Sequence, residues 1–159
     1  MTNERWAGAA WQLPLGLLLL RFGLGYFLFV WGVTKLLAPA QTVAIWGYFY
    51  GVEIDAALPY LMGGGELVLA LAILFGVWRV VAYAVGFLVH GVTVVVISGS
   101  LLDPFAIEDG FPVNRNASVS LPALTGFALL WLARARDAWS ADVWWRRRRA
   151  EAARAGDAR

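Results

Sequence analysis

Residues 13–33 read LPLGLLLLRFGLGYFLFVWGV, an apolar stretch of 21 residues that only Arg21 interrupts. About 20 helical residues, each rising 1.5 Å, cross the roughly 30 Å hydrocarbon core of a bilayer. Three further apolar stretches follow at residues 58–78, 80–98 and 117–135. The pattern predicts an all-α integral membrane four-helix bundle. Residues 1–135 form its transmembrane domain, and residues 136–159 form an amphipathic basic helix or tail.

The composition of the 159 residues favours a membrane protein and excludes other classes. Hydrophobic residues make up 60% and charged residues 15%, against about 45–50% and about 25% in average soluble domains. A soluble body of this size cannot bury so much apolar surface, and a disordered chain needs low hydrophobicity. The chain has no cysteine and one histidine. We therefore expect no haem, iron–sulfur cluster or metal site.

The distribution of positive charge predicts the orientation of the bundle. With four spans, ten Lys and Arg residues fall on the side of the chain termini, and only Lys35 and Arg115 fall on the other side. Cytoplasmic loops carry an excess of Lys and Arg, so both termini are predicted to be cytoplasmic. The short connection Gly76–Arg79 predicts a tight helical hairpin. The aromatic run at 46–51 predicts an interfacial or re-entrant element, with a plain aromatic belt as the alternative.

Three ionisable residues lie at membrane depth: Arg21, Glu66 and His90. Each costs at least about 2–3 kcal/mol at the centre of a lone helix, so we expect them to face inwards and to be paired. At 1.5 Å per residue their depths differ by about 6 Å, which an arginine side chain can span. We therefore predict a buried Arg21–Glu66 ion pair with His90 close in height. Tyr83 lies on the same stripe of its helix as His90.

Two interpretations of this group stay open. In one, the Arg21–Glu66 pair fixes the register of the helices and His90 bonds a neighbour. In the other, a carboxylate, an imidazole and aromatic walls hold a quinone headgroup or handle protons. The candidate residues for ligand binding or proton handling are Arg21, Glu66, His90 and Tyr83. The pattern identifies no catalytic residue.

The same segments resemble the DoxX family of small four-helix membrane proteins. The first span matches the family's R-x3-G and G-x-x-K motifs with Arg21, Gly25, Gly32 and Lys35. The second span matches its E-x9-G-x-x-R motif with Glu66, Gly76 and Arg79. His90 falls where many members have a polar residue, and Ala70 stands where the family often has glycine.

The resemblance implies a multi-pass protein of a bacterial-type inner membrane. Some relatives are subunits of thiosulfate:quinone oxidoreductase, and others are membrane partners of oxidoreductases. The resemblance therefore implies a membrane subunit or partner of a quinone-linked oxidoreductase complex. The chain would itself be at most a quinone-interacting subunit, with quinone as its candidate cofactor. A non-catalytic scaffold or accessory subunit is the alternative, and a small proton or solute pathway is a weaker one.

The tail after the fourth span combines tryptophan with clustered positive charge. Its candidate residues for contact with the membrane surface or a protein partner are Trp144, Trp145, Arg146, Arg147, Arg148 and Arg149. An amphipathic segment of this kind is typical of helices that lie on an anionic leaflet. A single short cluster on a membrane tether argues against nucleic-acid binding.

Overall fold

A computed structural model describes residues 10–157 of the chain, and most of this range is helical. The α-helices in chain order are α1 (Gln12–Leu37), α2 (Pro39–Ile45), α3 (Leu58–Phe75), α4 (Arg79–Val96), α5 (Ser98–Leu102), α6 (Ser120–Leu132) and α7 (Ala141–Asp157). A π-helical turn (Trp46–Tyr50) extends α2, and 3-10 helices (Arg115–Val119 and Arg134–Arg136) flank α6. The short strands β1 (Ile107–Glu108) and β2 (Phe111–Pro112) pair as an antiparallel hairpin. Arg5 and Arg159, which enter the charge count above, lie outside the described residues.

Helices α1, α3 and α4 are long and apolar enough to cross a membrane. Their outward faces are lined with large apolar side chains, such as Phe22, Val68 and Leu88, which are more than 60% exposed. An exterior of this kind belongs in lipid rather than in water. The chain is therefore an all-α membrane protein. Helix α6 has 13 residues, which span only about 20 Å, so the fourth membrane crossing stays a prediction.

Helices α1, α3, α4 and α6 pack into one up-and-down bundle. Gly32 of α1 lies beside Gly63 of α3, whereas Arg21 lies beside Gly76, so these two helices are antiparallel. Tyr83 of α4 contacts Asp137 after α6, and His90 contacts Ser120 at its start, so α4 and α6 are also antiparallel. Helix α1 thus begins and α6 ends on one side of the bundle, here named the terminus side. The opposite side is named the loop side.

Close packing holds the bundle together, because lipid provides no hydrophobic driving force between helices. The backbone oxygen of Gly63 lies 3.0 Å from the position that a Cβ on Gly32 would take. This contact lets α1 and α3 approach closely. In the second pair, the fully buried Phe127 packs over Gly86. The buried apolar core is Leu17, Leu24, Leu28, Ala70, Ile73, Ala82, Tyr83, Ala123, Phe127 and Leu130.

Local sequence explains where the long helices end. Helix α1 runs to Leu37 and stops before Pro39, because a residue that precedes proline avoids the helical region. Helix α3 ends at Phe75, because its C-cap Gly76 adopts a left-handed φ of +66°, a conformation that glycine reaches without strain. Trp78 follows with a φ of +47°, and α4 begins at Arg79. The hairpin between α3 and α4 is therefore as short as the sequence indicates.

The loop side carries the longer connections. The aromatic run is helical, since it forms the π-helical turn. Within this turn the rings of Trp46 and Tyr50 stack with their centres 4.5 Å apart and their planes at 9° to each other. Asp109 and Gly110 turn the β-hairpin with positive φ values of 49° and 81°. This pair of residues is a typical hairpin turn.

The chain does not leave the bundle at residue 136, where the sequence places the start of the tail. Asp137 and Ser140 are 0% and 2% exposed and pack against the α3–α4 hairpin. Only from Trp144 onward is every described side chain of α7 exposed. The packed part of the chain therefore extends past residue 136 to Ser140, and the boundary of the transmembrane domain at residue 135 stays a prediction. Buried partners in the bundle hold the first residues of the predicted tail.

Candidate functional site

A buried polar network on the terminus side joins α1, α4 and the segment after α6. The carboxylate of Asp137 is fully buried, and it accepts a hydrogen bond of 2.6 Å from the Tyr83 hydroxyl. Nη1 of Arg21 lies 3.6 Å from Oδ2 of the same carboxylate. Nη2 of Arg21 donates a hydrogen bond of 2.9 Å to the backbone oxygen of Trp139. These residues form what we call the Asp137 network.

Arg79 extends this network to the backbone. Its Nη1 donates to the backbone oxygen of Asp137 at 2.9 Å, and it lies 3.4 Å from the Ser140 hydroxyl. That hydroxyl donates to the same backbone oxygen at 3.1 Å. The Arg79 side chain thus fixes the segment between α6 and α7 (residues 133–140, here named the elbow) to the start of α4.

Asp142 supplies a helix cap across the molecule. Its two carboxylate oxygens accept hydrogen bonds from the backbone N–H groups of Trp78 and Arg79, at 3.0 and 2.9 Å. These are the first N–H groups of α4, which lack partners inside their own helix. A negative charge at this position is also favourable for the dipoles of both α4 and α7. The start of α7 is therefore tied to the α3–α4 hairpin.

The predicted Arg21–Glu66 ion pair is wrong. The guanidinium of Arg21 lies beside Gly76, ten residues along the chain from Glu66 of α3. Ten helical residues correspond to about 15 Å, so the guanidinium is out of contact with the Glu66 carboxylate. Side chains on a helix also lean towards its N-terminus, so Arg21 extends to the terminus side, away from Glu66.

The partner of Glu66 is Lys35, which lies two residues beyond the predicted span 13–33. Lys35 Nζ lies 2.6 Å from Glu66 Oε2, and the two side chains are 14% and 15% exposed. The ammonium also lies 5.8 Å from the centre of the Trp31 ring, within the range of a cation–π contact. Trp31 itself is 46% exposed. A largely buried ion pair therefore lies beside an aromatic ring that is exposed on the outer surface of the bundle.

His90 lies between aromatic rings and a backbone carbonyl. Its Nε2 donates a hydrogen bond of 3.0 Å to the backbone oxygen of Ser120. A carbonyl oxygen only accepts, so the hydrogen is on Nε2, and in the neutral ring Nδ1 is an acceptor. Phe27 and Phe127 contact the ring at centroid distances of 5.3 and 5.8 Å. His90 thus joins α4 to the start of α6, and it is not part of the Asp137 network.

The structure therefore divides the predicted group into separate places. Arg21 and Tyr83 meet on the terminus side, Glu66 pairs with Lys35 towards the loop side, and His90 bonds Ser120. The residues that the sequence interpretation missed are Asp137, Ser140 and Asp142. A signal was available, since two acids among the arginines that follow the last span are candidate partners for Arg21 and Arg79. Among the described residues, no cluster of His, Asp and Glu could hold a metal ion.

The six tail residues lie on α7, and their side chains are exposed. The guanidinium of Arg148 stacks 5.1 Å from the centre of the Trp144 ring. At 3.6 residues per turn, Trp144, Arg147 and Arg148 share one face of α7, and Trp145, Arg146 and Arg149 share the opposite one. The helix thus presents tryptophan and arginine on two sides.

The residues that carry the family resemblance meet in two places. Gly32 and Lys35 of α1 face Gly63 and Glu66 of α3. On the terminus side, a Cβ on Gly76 would meet the Arg21 guanidinium. The motif residues of the first span thus contact α3 and its C-cap, where the residues of the second motif lie.

One comparison with known proteins finds a match, which is to a protein family. No curated protein and no solved structure matches the chain. The DoxX family profile matches residues 16–99, which run from the first turns of α1 to the start of α5 and make up more than half of the chain. The matched segment includes both helices of the Lys35–Glu66 pair, and Asp137 lies beyond it. This match confirms the resemblance seen in the motifs: the chain belongs to the DoxX family.

Proposed function

We propose that this DoxX family protein is a membrane subunit of a quinone-linked oxidoreductase complex. The observation that carries the proposal is the Lys35–Glu66 ion pair, which is largely buried beside the lipid-exposed ring of Trp31. Ionisable groups are costly at membrane depth and often mark ligand or proton pathways. Family membership favours the same function, because some relatives are subunits of thiosulfate:quinone oxidoreductase.

The chemistry of these groups fits a quinone headgroup. A quinone is a flat apolar ring with carbonyl oxygens that accept hydrogen bonds, and it carries electrons together with protons. Lys35 has three N–H donors, and the single bond to Glu66 Oε2 leaves donor capacity. Trp31 supplies a flat ring on the lipid side, from which a lipid-soluble molecule would arrive. Lys35 and Glu66 would thus bind the polar edge of the headgroup, and Trp31 would contact its ring.

Extraction of co-purified quinone tests this proposal. The protein is purified in mild detergent, and the quinone per protein is compared between wild type, Glu66→Gln and Trp31→Leu. Phe22→Leu is the matched control, because Phe22 is a lipid-exposed aromatic residue of α1 outside the site. We expect quinone in the wild type and the control and a loss of at least about fivefold in both site variants, which corresponds to about 1 kcal/mol of binding free energy. Absence of quinone, or equal retention in all variants, would refute the proposal.

We further propose that the bundle crosses a bacterial inner membrane four times, with both termini in the cytoplasm. The start of α1 and the end of α6 lie on the same side, and most Lys and Arg residues are on that side. The chain has no cysteine, so single cysteines at Asp109 and Arg154 can be labelled without background. A membrane-impermeant maleimide should label position 109 and not 154 in intact spheroplasts. The reverse pattern would contradict this topology.

A specific observation favours a second candidate, a non-catalytic accessory subunit that recruits a protein partner through α7. The buried Asp137 network and the half-buried Asp142 hold the start of this helix, while its residues from Trp144 onward are exposed. Buried charges are costly unless they are paired, and the contacts of Arg21 and Arg79 with Asp137 and Trp139 fix the segment that leads into α7. A fixed, basic helix is a suitable surface for an acidic partner.

A truncation tests this second candidate. The cut has to follow Val143, because removal of Trp139 to Asp142 would also remove contacts of the bundle. We expect the truncated protein to stay folded and to lose a partner that co-purifies with the full chain. Exchange of Arg146 and Arg149 for Gln should weaken the same partner. An unchanged complex after truncation would exclude α7 as the docking surface.

A further inference from the structure

We propose that the recess at the start of α7 binds the phosphate headgroup of an anionic membrane lipid. The recess has a volume of about 410 Å³, within the range of roughly 300–1,000 Å³ that is usual for small-ligand pockets. It is lined by Ala138, Trp139, Ser140, Ala141, Trp144 and Arg147. It lies on the terminus side, whereas the Lys35–Glu66 pair lies towards the loop side. The two sites are therefore separate, and a failure of the quinone test would not affect the lipid site.

The lining of the recess suits a lipid headgroup. The indole rings of Trp139 and Trp144 are about half exposed, and they offer an apolar surface to the glycerol and the first acyl carbons. Arg147 brings the positive charge of the lining, and a planar guanidinium matches the geometry of a phosphate. Arg148 lies on the same face of α7 and stacks on Trp144, so a second positive charge is near.

The floor of the recess is held in place by the bundle. Ser140 is 2% exposed, and its hydroxyl donates to the backbone of Asp137. The backbone oxygen of Trp139 accepts from buried Arg21. Because these contacts fix the elbow, the recess is a preformed surface, which lowers the entropic cost of binding.

The tryptophans around the recess indicate that it lies at the level of the lipid headgroups. The terminus side carries exposed tryptophans from several elements: Trp11, Trp78, Trp131, Trp139, Trp144 and Trp145. Tryptophan is enriched at the membrane–water interface, where its ring lies at the level of the headgroups. A phosphate bound beside Trp139 and Trp144 would therefore belong to a lipid of the adjacent leaflet rather than to a soluble molecule.

Native mass spectrometry of the full-length protein in mild detergent tests the site. Phosphatidylglycerol or phosphatidylcholine is titrated against wild type, Arg147→Gln and Trp144→Leu. The matched controls are Arg149→Gln and Trp145→Leu, which make the same changes on the opposite face of α7. All four side chains are exposed, and circular dichroism checks that each variant keeps its helix content.

We expect wild type to bind phosphatidylglycerol in preference to phosphatidylcholine. Arg147→Gln should weaken phosphatidylglycerol binding about fivefold, as expected for one arginine beside anionic lipid, and both controls should bind like wild type. Equal losses at positions 147 and 149 would overturn the proposal in favour of diffuse attraction by the whole helix. Equal binding of the two lipids, displacement by millimolar glycerol phosphate, or occupation of the recess by a co-purified protein would also overturn it.

Discussion

Removal of the Asp137 charge should destabilise the bundle more than any change on its lipid-facing surface. In Asp137→Asn, the side chain keeps its shape and can still accept from Tyr83, but Arg21 loses its counter-charge. Both members of the ion pair are buried, with 1% and 0% of the residue exposed. Removing one partner of a buried pair costs about 3–5 kcal/mol. This is a large part of the roughly 5–15 kcal/mol that stabilises a typical folded domain.

A double-mutant cycle gives the sharper test. Arg21→Met alone leaves the Asp137 carboxylate without its charge partner and should cost a similar amount. The double variant leaves no unpaired charge, so its cost should be smaller than the sum of the single costs by about 0.5–3 kcal/mol. The free energy of unfolding is measured by denaturant titration in mild detergent, followed by circular dichroism.

Asp103→Asn is the matched control, because it makes the same chemical change at an exposed carboxylate on the loop side. We expect it to change the free energy of unfolding by less than about 0.5 kcal/mol. An Asp137→Asn variant with the same free energy of unfolding as this control would refute the prediction. Additive costs in the cycle would equally show that Arg21 and Asp137 do not stabilise each other.

Further substitutions probe the remaining contacts by the same unfolding measurement. Gly76→Ala should cost about 1–3 kcal/mol, because the site has a positive φ and no room for a Cβ. The control Gly64→Ala should be neutral or stabilising, since a Cβ there meets open space. Equal effects of the two changes would contradict this prediction. Asp142→Ala should cost about 1–2 kcal/mol by uncapping α4, and a wild-type stability would show that the cap is dispensable. Lys35→Met and Glu66→Gln should each destabilise the protein more than the double variant does, since either single change leaves a partly buried charge without its partner. A double variant that is less stable than both single variants would exclude the pairing.

Helix positions could be predicted from the sequence because they depend on local chemistry. The long apolar runs, Pro39 after α1 and Gly76 after α3 determine where helices begin and end within a few residues. The tight hairpin before Arg79 follows from the same signals. Lys35 is an instructive exception, because the end of an apolar run does not mark the end of a helix. Helix α1 continues past Val33 to Leu37 and carries this lysine to Glu66.

The partners of the charged residues could not be predicted in this way. Spacing along each span gives the depth of a residue, and depth alone places Arg21 and Glu66 within reach of each other. The actual levels depend on how far α3 is shifted along α1, and the close approach of Gly32 and Gly63 sets this shift. The direction in which a long side chain extends adds several ångströms more. An error of a few residues in level is enough to exchange one ion pair for another.

By itself, the sequence determined that this chain is a helical membrane protein of the DoxX family, that charged residues lie within its apolar stretches, and that its C-terminal segment is basic and rich in tryptophan. Each of these properties is local, because it depends on residue type and on spacing along one helix. Only the tertiary structure decided that Asp137 neutralises Arg21, that Lys35 pairs with Glu66, and that the elbow before α7 is buried. These contacts join residues 31 to 118 positions apart, so they exist only once the helices have packed in one register.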